Sequence, residues 1–416
     1  MRVIIIGNGI AGNSAARAIK EARPATKVTI VTEERDPFYS ACALARLVSG
    51  NCEEKDVIIT SFEEARRLGI ELITGEMVSA IDPRTKSIKI TRGSIEYDQL
   101  ILATGSKARL FNVSRSEQAG VFALKTLQDA RLLQEWKGKK AVIVGSGPVG
   151  VETAAALKMR GLKVTLVEAQ ENILPEVLTP YLAKEAHQLM EKSGIEVKTG
   201  CRYQAVEGIN RVKAVVLSKE TISCDTLVFA CGTSANTGLA RAAGIELGSR
   251  GGILVDKQMK TSVANIFAGG DCVELRPDLD TDLEYDNRVS MLWVNARRQG
   301  WVAGLNAINS ESEYVGNVSA VAIDLFGATI LSAGRKPSGA INEKTYNFES
   351  RTYKAQANVR DEKVIGLQLV GLPSREYGRI LMRLVSGCSD KDGLPVLDFS
   401  NPRNNCSTFM VWDKFI

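Results

Sequence analysis

Two glycine-rich turns of identical spacing dominate this chain. Gly7-Asn8-Gly9-Ile10-Ala11-Gly12 follows the apolar run VIII, and Gly145-Ser146-Gly147-Pro148-Val149-Gly150 follows AVIV. Each turn opens an alanine-rich helical stretch, NSAARAIK in the first copy and VETAAALK in the second, and each stretch leads to a further apolar strand. Strand, glycine turn, helix and strand form the βαβ unit that receives a dinucleotide pyrophosphate. The glycines permit a tight turn and close backbone approach, and the helix N-terminus supplies partial positive charge. One copy would fit a simple dehydrogenase. Two copies imply hydride passing from one bound dinucleotide to another.

The strands after the turns differ. KVTLVEAQ ends at Glu168, where a carboxylate accepts hydrogen bonds from the hydroxyls of an adenine ribose. A 2′-phosphate there would meet that charge with no arginine in AQENILP, so the second site reads as NADH rather than NADPH. In the first copy, KVTIVTEERD, the matching position is Thr32. Glu33 is the favoured ribose partner and Glu34 the reserve.

The 416 residues allow two or three domains, and 44% hydrophobic with 24% charged residues is ordinary for a globular protein. The net charge of +5 comes from scattered Lys and Arg, which argues against nucleic-acid binding. Met1-Arg2 leads straight into the first strand and no apolar run reaches membrane-spanning length, so a cytoplasmic protein without a membrane span is expected. Eight cysteines lack CxxC pairing, and the single histidine, His187, argues against His-rich metal sites; no metal is expected. His187 lies on an amphipathic helix and is assigned no catalytic role.

After the first βαβ unit, ELITGEMVSAIDPRTKSIKI alternates as antiparallel strands around Asp82-Pro83, and YDQLILATG is a buried strand ending in Ala103-Thr104-Gly105. The second half repeats this order and ends in Ala230-Cys231-Gly232. TSVANIFAGGDCVE then closes on Gly269-Gly270-Asp271. From about residue 313, alternating β segments surround one helix-like stretch, REYGRILMRLVSG, and read as a separate α+β domain.

The order GxGxxG, ATG, GxGxxG, AGGD resembles the flavin-dependent pyridine nucleotide-disulfide oxidoreductase family across nearly the whole chain. The resemblance implies an α/β fold with two Rossmann-like, three-layer dinucleotide-binding domains. An FAD-binding domain is split between 1–112 and 245–312, an NAD(H)-binding domain covers 113–244, and a C-terminal α+β dimerisation domain covers 313–416. It further implies FAD on the first fingerprint, NADH on the second, Asp271 on a flavin ribityl hydroxyl, and a homodimer. LWVNARRQGWVAGLN, which contains Asn295, resembles the family's helix whose N-terminus faces the flavin pyrimidine and stabilises its reduced anion. Glu152 matches a family position near the nicotinamide, although a helix-surface glutamate fits the residue almost as well.

What faces the flavin separates the branches. The CxxxxC pair and C-terminal histidine of the glutathione-reductase-like members are missing from this sequence. DPFYSACALARLVSG instead resembles the SxxCAL stretch of CoA-disulfide reductases and the related NADH oxidases and peroxidases. Ser40 is the expected N-cap, placing Cys42 in the first helical turn with Arg46 one turn on, and both the dipole and the arginine favour a thiolate. The implied activity is FAD-dependent NADH oxidation, with a small disulfide, polysulfide, peroxide or oxygen reduced through Cys42; a packing cysteine is the alternative. Cys52 is a weaker candidate as resolving partner.

Two departures bear on the substrate. Ala45 and Arg46 stand where the CoA-disulfide relatives have proline and tyrosine, and Asn401 stands before Pro402 where they have tyrosine. The tail carrying Cys406, Phe409, Trp412 and Phe415 reads as dimer packing or as a cover over the active site. A rival reading is an electron-transfer flavoprotein resembling rubredoxin reductases, ferredoxin reductases and nitrite reductase flavin modules, with a small redox protein as partner. The second strand ending in Thr32 and the Phe38-Tyr39-Ser40 phrase resemble that branch too. A third is an NADH-responsive flavoprotein sensor.

Overall fold

Each fingerprint folds into the βαβ unit that its sequence predicts. In the computed structural model, which describes residues 1–111, 118–276, 291–316, 320–360 and 363–371, strand Arg2–Ile6 leads through the first turn into helix Ile10–Ala22 and strand Lys27–Thr32. Strand Lys140–Val144, helix Pro148–Met159 and strand Lys163–Val167 repeat the arrangement. The repeat extends to single hydrogen bonds. Gly7 N–H donates to Val31 O (2.9 Å) as Gly145 N–H donates to Val167 O (2.8 Å), and Glu76 N–H donates to Thr32 O (3.0 Å) as Cys201 N–H donates to Glu168 O (2.9 Å). Thr32 and Glu168 are therefore structurally equivalent.

Both units carry a five-stranded parallel sheet. The first runs Ile266–Ala268, Gln99–Leu102, Arg2–Ile6, Lys27–Thr32, Ile70–Thr74, and the second runs Val121–Ala123, Thr226–Phe229, Lys140–Val144, Lys163–Val167, Glu196–Lys198. Their continuous apolar runs suit strands covered on both faces; Ile4, Ile5, Leu100 and Ile101 are fully buried in the first sheet. ELIT, expected in an antiparallel ribbon, is instead the parallel edge strand of the first sheet. The antiparallel ribbon begins after the turn at Gly75, with strands Ala80–Asp82, Ser87–Ile90 and Gly93–Glu96.

The chain divides into two compact units, one of Met1–Ala41, Val57–Lys107 and Thr233–Asn317, the other of Cys42–Asp56, Ala108–Gly232 and Val318–Ile416. The divisions fall at Lys107 and Thr233 rather than at 112 and 245, and two segments group differently from the sequence reading. The stretch bearing Cys42 belongs with the second fingerprint, because helix Leu44–Ser49 packs on helices Leu127–Glu135 and Pro148–Met159. The C-terminal strands join the same unit through helices Pro148–Met159 and Pro180–Lys192. They form one antiparallel sheet, Ala320–Leu325, Ala328–Gly334, Lys363–Gly371, Tyr353–Arg360, Glu343–Glu349. The stretch REYGRILMRLVSG and the tail with Asn401, Pro402, Cys406, Phe409, Trp412 and Phe415 lie outside the described residues. Among the described residues, no helix is long and apolar enough to cross a membrane.

In the first unit, helix Trp293–Ala307 lies directly on helix Ile10–Ala22. Gly300 and Gly304, one turn apart, make this approach possible, since a Cβ on either would collide with the backbone of Ala11 or Ala15. Gly300→Ala forces the two helices apart. It is expected to cost about 1–3 kcal/mol and lower the thermal midpoint by about 5 °C, and an unchanged midpoint in a thermal melt would show that the contact yields freely.

Candidate functional site

The first cradle is assembled from several chain segments of its unit. Gly7 has φ 114° and its Cα faces the Ala103 carbonyl so closely that a Cβ would overlap it. Gly12 is pressed in the same way onto the Gly7 carbonyl. Gly9, by contrast, faces open space and is the N-cap of helix Ile10–Ala22, which has no side-chain cap and no acidic residue in its first turn. An uncapped helix end beside open space suits a pyrophosphate. Ile10 and Ala11 form the start of that helix.

Around this turn the other predicted residues are held by partners that sequence reasoning missed. Thr104 Oγ1 donates to Asn236 O (2.7 Å) and Asn236 Nδ2 donates back to Thr104 O (3.0 Å), while Asn236 N–H donates to Gly105 O (2.9 Å). Ser106 Oγ donates to Asp271 Oδ2 (2.7 Å), aiming the carboxylate assigned to the ribityl chain. Gly270 N–H donates to Gln299 Oε1 (2.9 Å), and its Cα abuts Ala11. Asn295 is buried in the first turn of helix Trp293–Ala307, an N-terminus with no side-chain cap or acidic residue. Trp293 of this turn stacks on Phe38 at 5.9 Å. Ser106 and Gln299 had weak signals, one directly after the ATG phrase and the other one turn beyond Asn295.

Glu33 is exposed at the end of strand Lys27–Thr32, whereas the Glu34 carboxylate accepts from the Tyr39 hydroxyl (2.5 Å). Thr32 Oγ1 accepts from Glu34 N–H (3.3 Å), the task that Glu168 Oε1 performs for Gln170 N–H (2.9 Å). The ribose carboxylate position of the first site is therefore taken by a hydroxyl.

In the second cradle, Gly145 lies against the Ala230 carbonyl and Gly150 against the Gly145 carbonyl. Gly147 faces open space at the uncapped end of helix Pro148–Met159, and Val149 is exposed there. Gly232, three residues beyond the neighbouring strand Thr226–Phe229, is exposed with φ 81°. Glu168 is buried, and its Oε2 accepts from Ser146 N–H (3.0 Å) and Ser146 Oγ (2.6 Å). Both cradles thus offer what a dinucleotide needs: open space at the middle glycine, free helix ends and, in the second, an oriented carboxylate.

Glu152 is half-buried on the second fingerprint helix, and burial, with the negative charge of Asp324, pushes its carboxyl up to about 8. Cys42 is half-buried in a 3₁₀ turn, Ala41–Ala43, ahead of the helix that starts at Leu44. The cap of that helix is Ala43, without a side-chain bond, rather than Ser40. Arg46 follows in the α-helix that this 3₁₀ turn leads into. Gln134 Nε2 donates to Leu47 O (3.0 Å) and Arg131 pairs with Glu54, anchoring the segment within its unit. Cys52 lies beyond the helix and its terminal Gly50. His187 sits 3.4 Å from Glu191 on its own helix.

These two cradles agree with comparisons to known proteins. The profile of the pyridine nucleotide-disulphide oxidoreductase family matches residues 1–300. The chain belongs to this family. It is an FAD-dependent oxidoreductase that uses a pyridine nucleotide. Among curated relatives, it is 31% identical over 397 residues to an NADH oxidase of Methanocaldococcus jannaschii, covering 89% of this chain and 88% of the relative. A solved ferredoxin reductase for the CYP199A2 system from Rhodopseudomonas palustris is similar with TM-score 0.82 and 25% identity, over 92% of this chain and 93% of that one. The NAD-dependent persulfide reductase from A. fulgidus shares the fold with TM-score 0.84 at 24% identity, over 100% of this chain and 84% of that one.

Two outcomes follow for the family's nucleotide. Glu168→Ala removes the oriented carboxylate that the sequence assigns to the ribose; it is expected to raise KM for NADH about tenfold while lowering KM for NADPH, in steady-state assays with each. Glu152 carries a folded-state value near 8 against 4.5 unfolded. Its contribution to stability is therefore complete below about pH 4.5 and is lost as pH rises to about 8. Glu152→Gln should flatten the thermal midpoint across that window; an unchanged slope would show that the carboxyl ionises normally.

Proposed function

We propose that this family member oxidises NADH at the second fingerprint and, with FAD on the first, reduces a small disulfide, polysulfide, peroxide or oxygen through Cys42, as a cytoplasmic homodimer. FAD when bound supplies the two-electron redox chemistry. The chain's residues supply placement: Ser106 aims Asp271 and the Thr104–Asn236 pair fixes the ATG turn. Ser146 and Gln170 orient Glu168 for an unphosphorylated ribose.

The observation that carries the cysteine reading is a contrast among thiols. Burial pushes Cys224 up to about 12 and Cys231 up to about 11, and raises Cys272, so these remain protonated. The Cys231 thiol also donates to Val144 O (3.0 Å). Cys42, by contrast, is half-buried in the turn that leads into helix Leu44–Ser49. The likeness to an NADH oxidase supports a small-molecule acceptor. The likeness to a ferredoxin reductase supports the second reading, in which a small redox protein takes the electrons and Cys42 is dispensable.

An anaerobic NADH titration of the FAD-loaded protein separates the two. Wild type is expected to consume reducing equivalents beyond those that bleach the flavin and to show a long-wavelength band that Cys42→Ser abolishes. Identical titrations would sink the role of Cys42 and leave the electron-transfer reading.

A further inference from the structure

The two fingerprint loops are equivalent in backbone but are locked by different side chains. In the first, Asn13 is buried in the opening of helix Ile10–Ala22, and its Nδ2 donates to Asn8 O (3.0 Å), Asn8 Oδ1 (2.9 Å) and Gly9 O (3.2 Å). Asparagine is a poor helix residue, so this contact, rather than propensity, accounts for its position. Because a trans peptide points its carbonyl and its N–H in opposite directions, holding Asn8 O inward turns the Gly9 N–H outward, toward the open space beside Gly9, whereas Gly9 O is held as Gly147 O is in the second loop, by the helix bond from Asn13 N–H here and Val151 N–H there. The lock is complete without a ligand and no ligand group has to displace it.

In the second loop the residue equivalent to Asn13 is Val151, fully buried, and it has no amide to give. Here the loop is tied through Ser146, which donates its N–H and hydroxyl to Glu168 Oε2 and accepts from Leu174 N–H (3.3 Å). A carboxylate offers about four acceptor positions. Ser146 N–H, Ser146 Oγ and Gln170 N–H fill three of them. A ribose that presents two hydroxyls must therefore displace the Ser146 hydroxyl.

We propose that Asn13 and Ser146 are positioning residues that set opposite exchange behaviour: Asn13 fixes the first loop so that its dinucleotide is retained through turnover, and Ser146 competes with the ribose for Glu168 so that the second dinucleotide leaves readily. The proposal rests on FAD occupying the first loop and NADH the second. It is tested by two readouts on the FAD-loaded protein, the rate of FAD release after dilution, followed by the fluorescence of free FAD, and the Kd for NAD+ by calorimetry.

Asn13→Val, which installs the residue of the second copy, and Asn13→Ala are expected to speed FAD release about tenfold or more while leaving the NAD+ Kd within about twofold. Asn8→Ala deletes the Oδ1 acceptor of the half-buried loop, together with the Asn8 Nδ2 bond to Asp36 O (3.3 Å), without touching the core and is expected to give a smaller acceleration, which keeps the test decisive if the Asn13 variants do not fold. Ser146→Ala is expected to tighten NAD+ about threefold with FAD release unchanged. Unchanged FAD release in the Asn13 and Asn8 variants, or weaker NAD+ binding in Ser146→Ala, overturns the inference. Asn13 variants that weaken NAD+ and spare FAD would overturn instead the assignment of the two dinucleotides to their loops.

Discussion

The structure depends on backbone packed against backbone at the two glycine turns. At Gly7 and Gly145 the chain leaves a central strand and passes over the carbonyl that ends the neighbouring strand, Ala103 in one unit and Ala230 in the other. A side chain at these points has nowhere to go. Because the turn is fixed by main-chain contacts, the helix that follows starts in a set direction with its N–H groups uncapped. The dinucleotide cradle is thus a by-product of how strand and helix pack, and the side chains around it only tune what it holds.

Much of this was legible in the sequence because glycine spacing and apolar runs report main-chain geometry directly. Gly7 to Gly12, Gly145 to Gly150 and the small residues before Gly105 and Gly232 occupy the predicted turns. The equivalence of Thr32 and Glu168 follows from aligning KVTIVT with KVTLVE, and the two residues accept matching backbone bonds from Glu76 and Cys201. Ser106, Asn236 and Gln299 escaped notice because their work depends on partners 29 to 165 residues away. A local pattern can point to such a residue, as the ATG phrase does to Ser106, but it does not name the partner.

The cysteine segment shows a different limit. The phrase around Cys42 reads as a helix, and Leu44–Ser49 is one, but its first turn tightened into 3₁₀ geometry. Its grouping was set by Leu44, Leu47 and Val48, buried residues of a helix that packs on Leu127–Glu135 and Pro148–Met159. Apolar residues on a short helix say that something will be covered, but not which unit will cover it. The ELIT strand was misread for a related reason: its alternation suits an edge strand of either orientation, and pairing with Lys27–Thr32 decided it.

The chain order of the two sheets has a consequence for synthesis. The second sheet is drawn from one continuous stretch, Val121 to Phe229, whereas the first waits for Ile266–Ala268 to join its edge and for Trp293–Ala307 to seat Gly300 and Gly304 on Ala11 and Ala15. On the ribosome, the sheet that begins first is therefore the one that finishes later, and its N-terminal strands stand with an open edge while the second sheet is made. The first cradle is complete only once helix Trp293–Ala307 has been made, well after its own glycine turn.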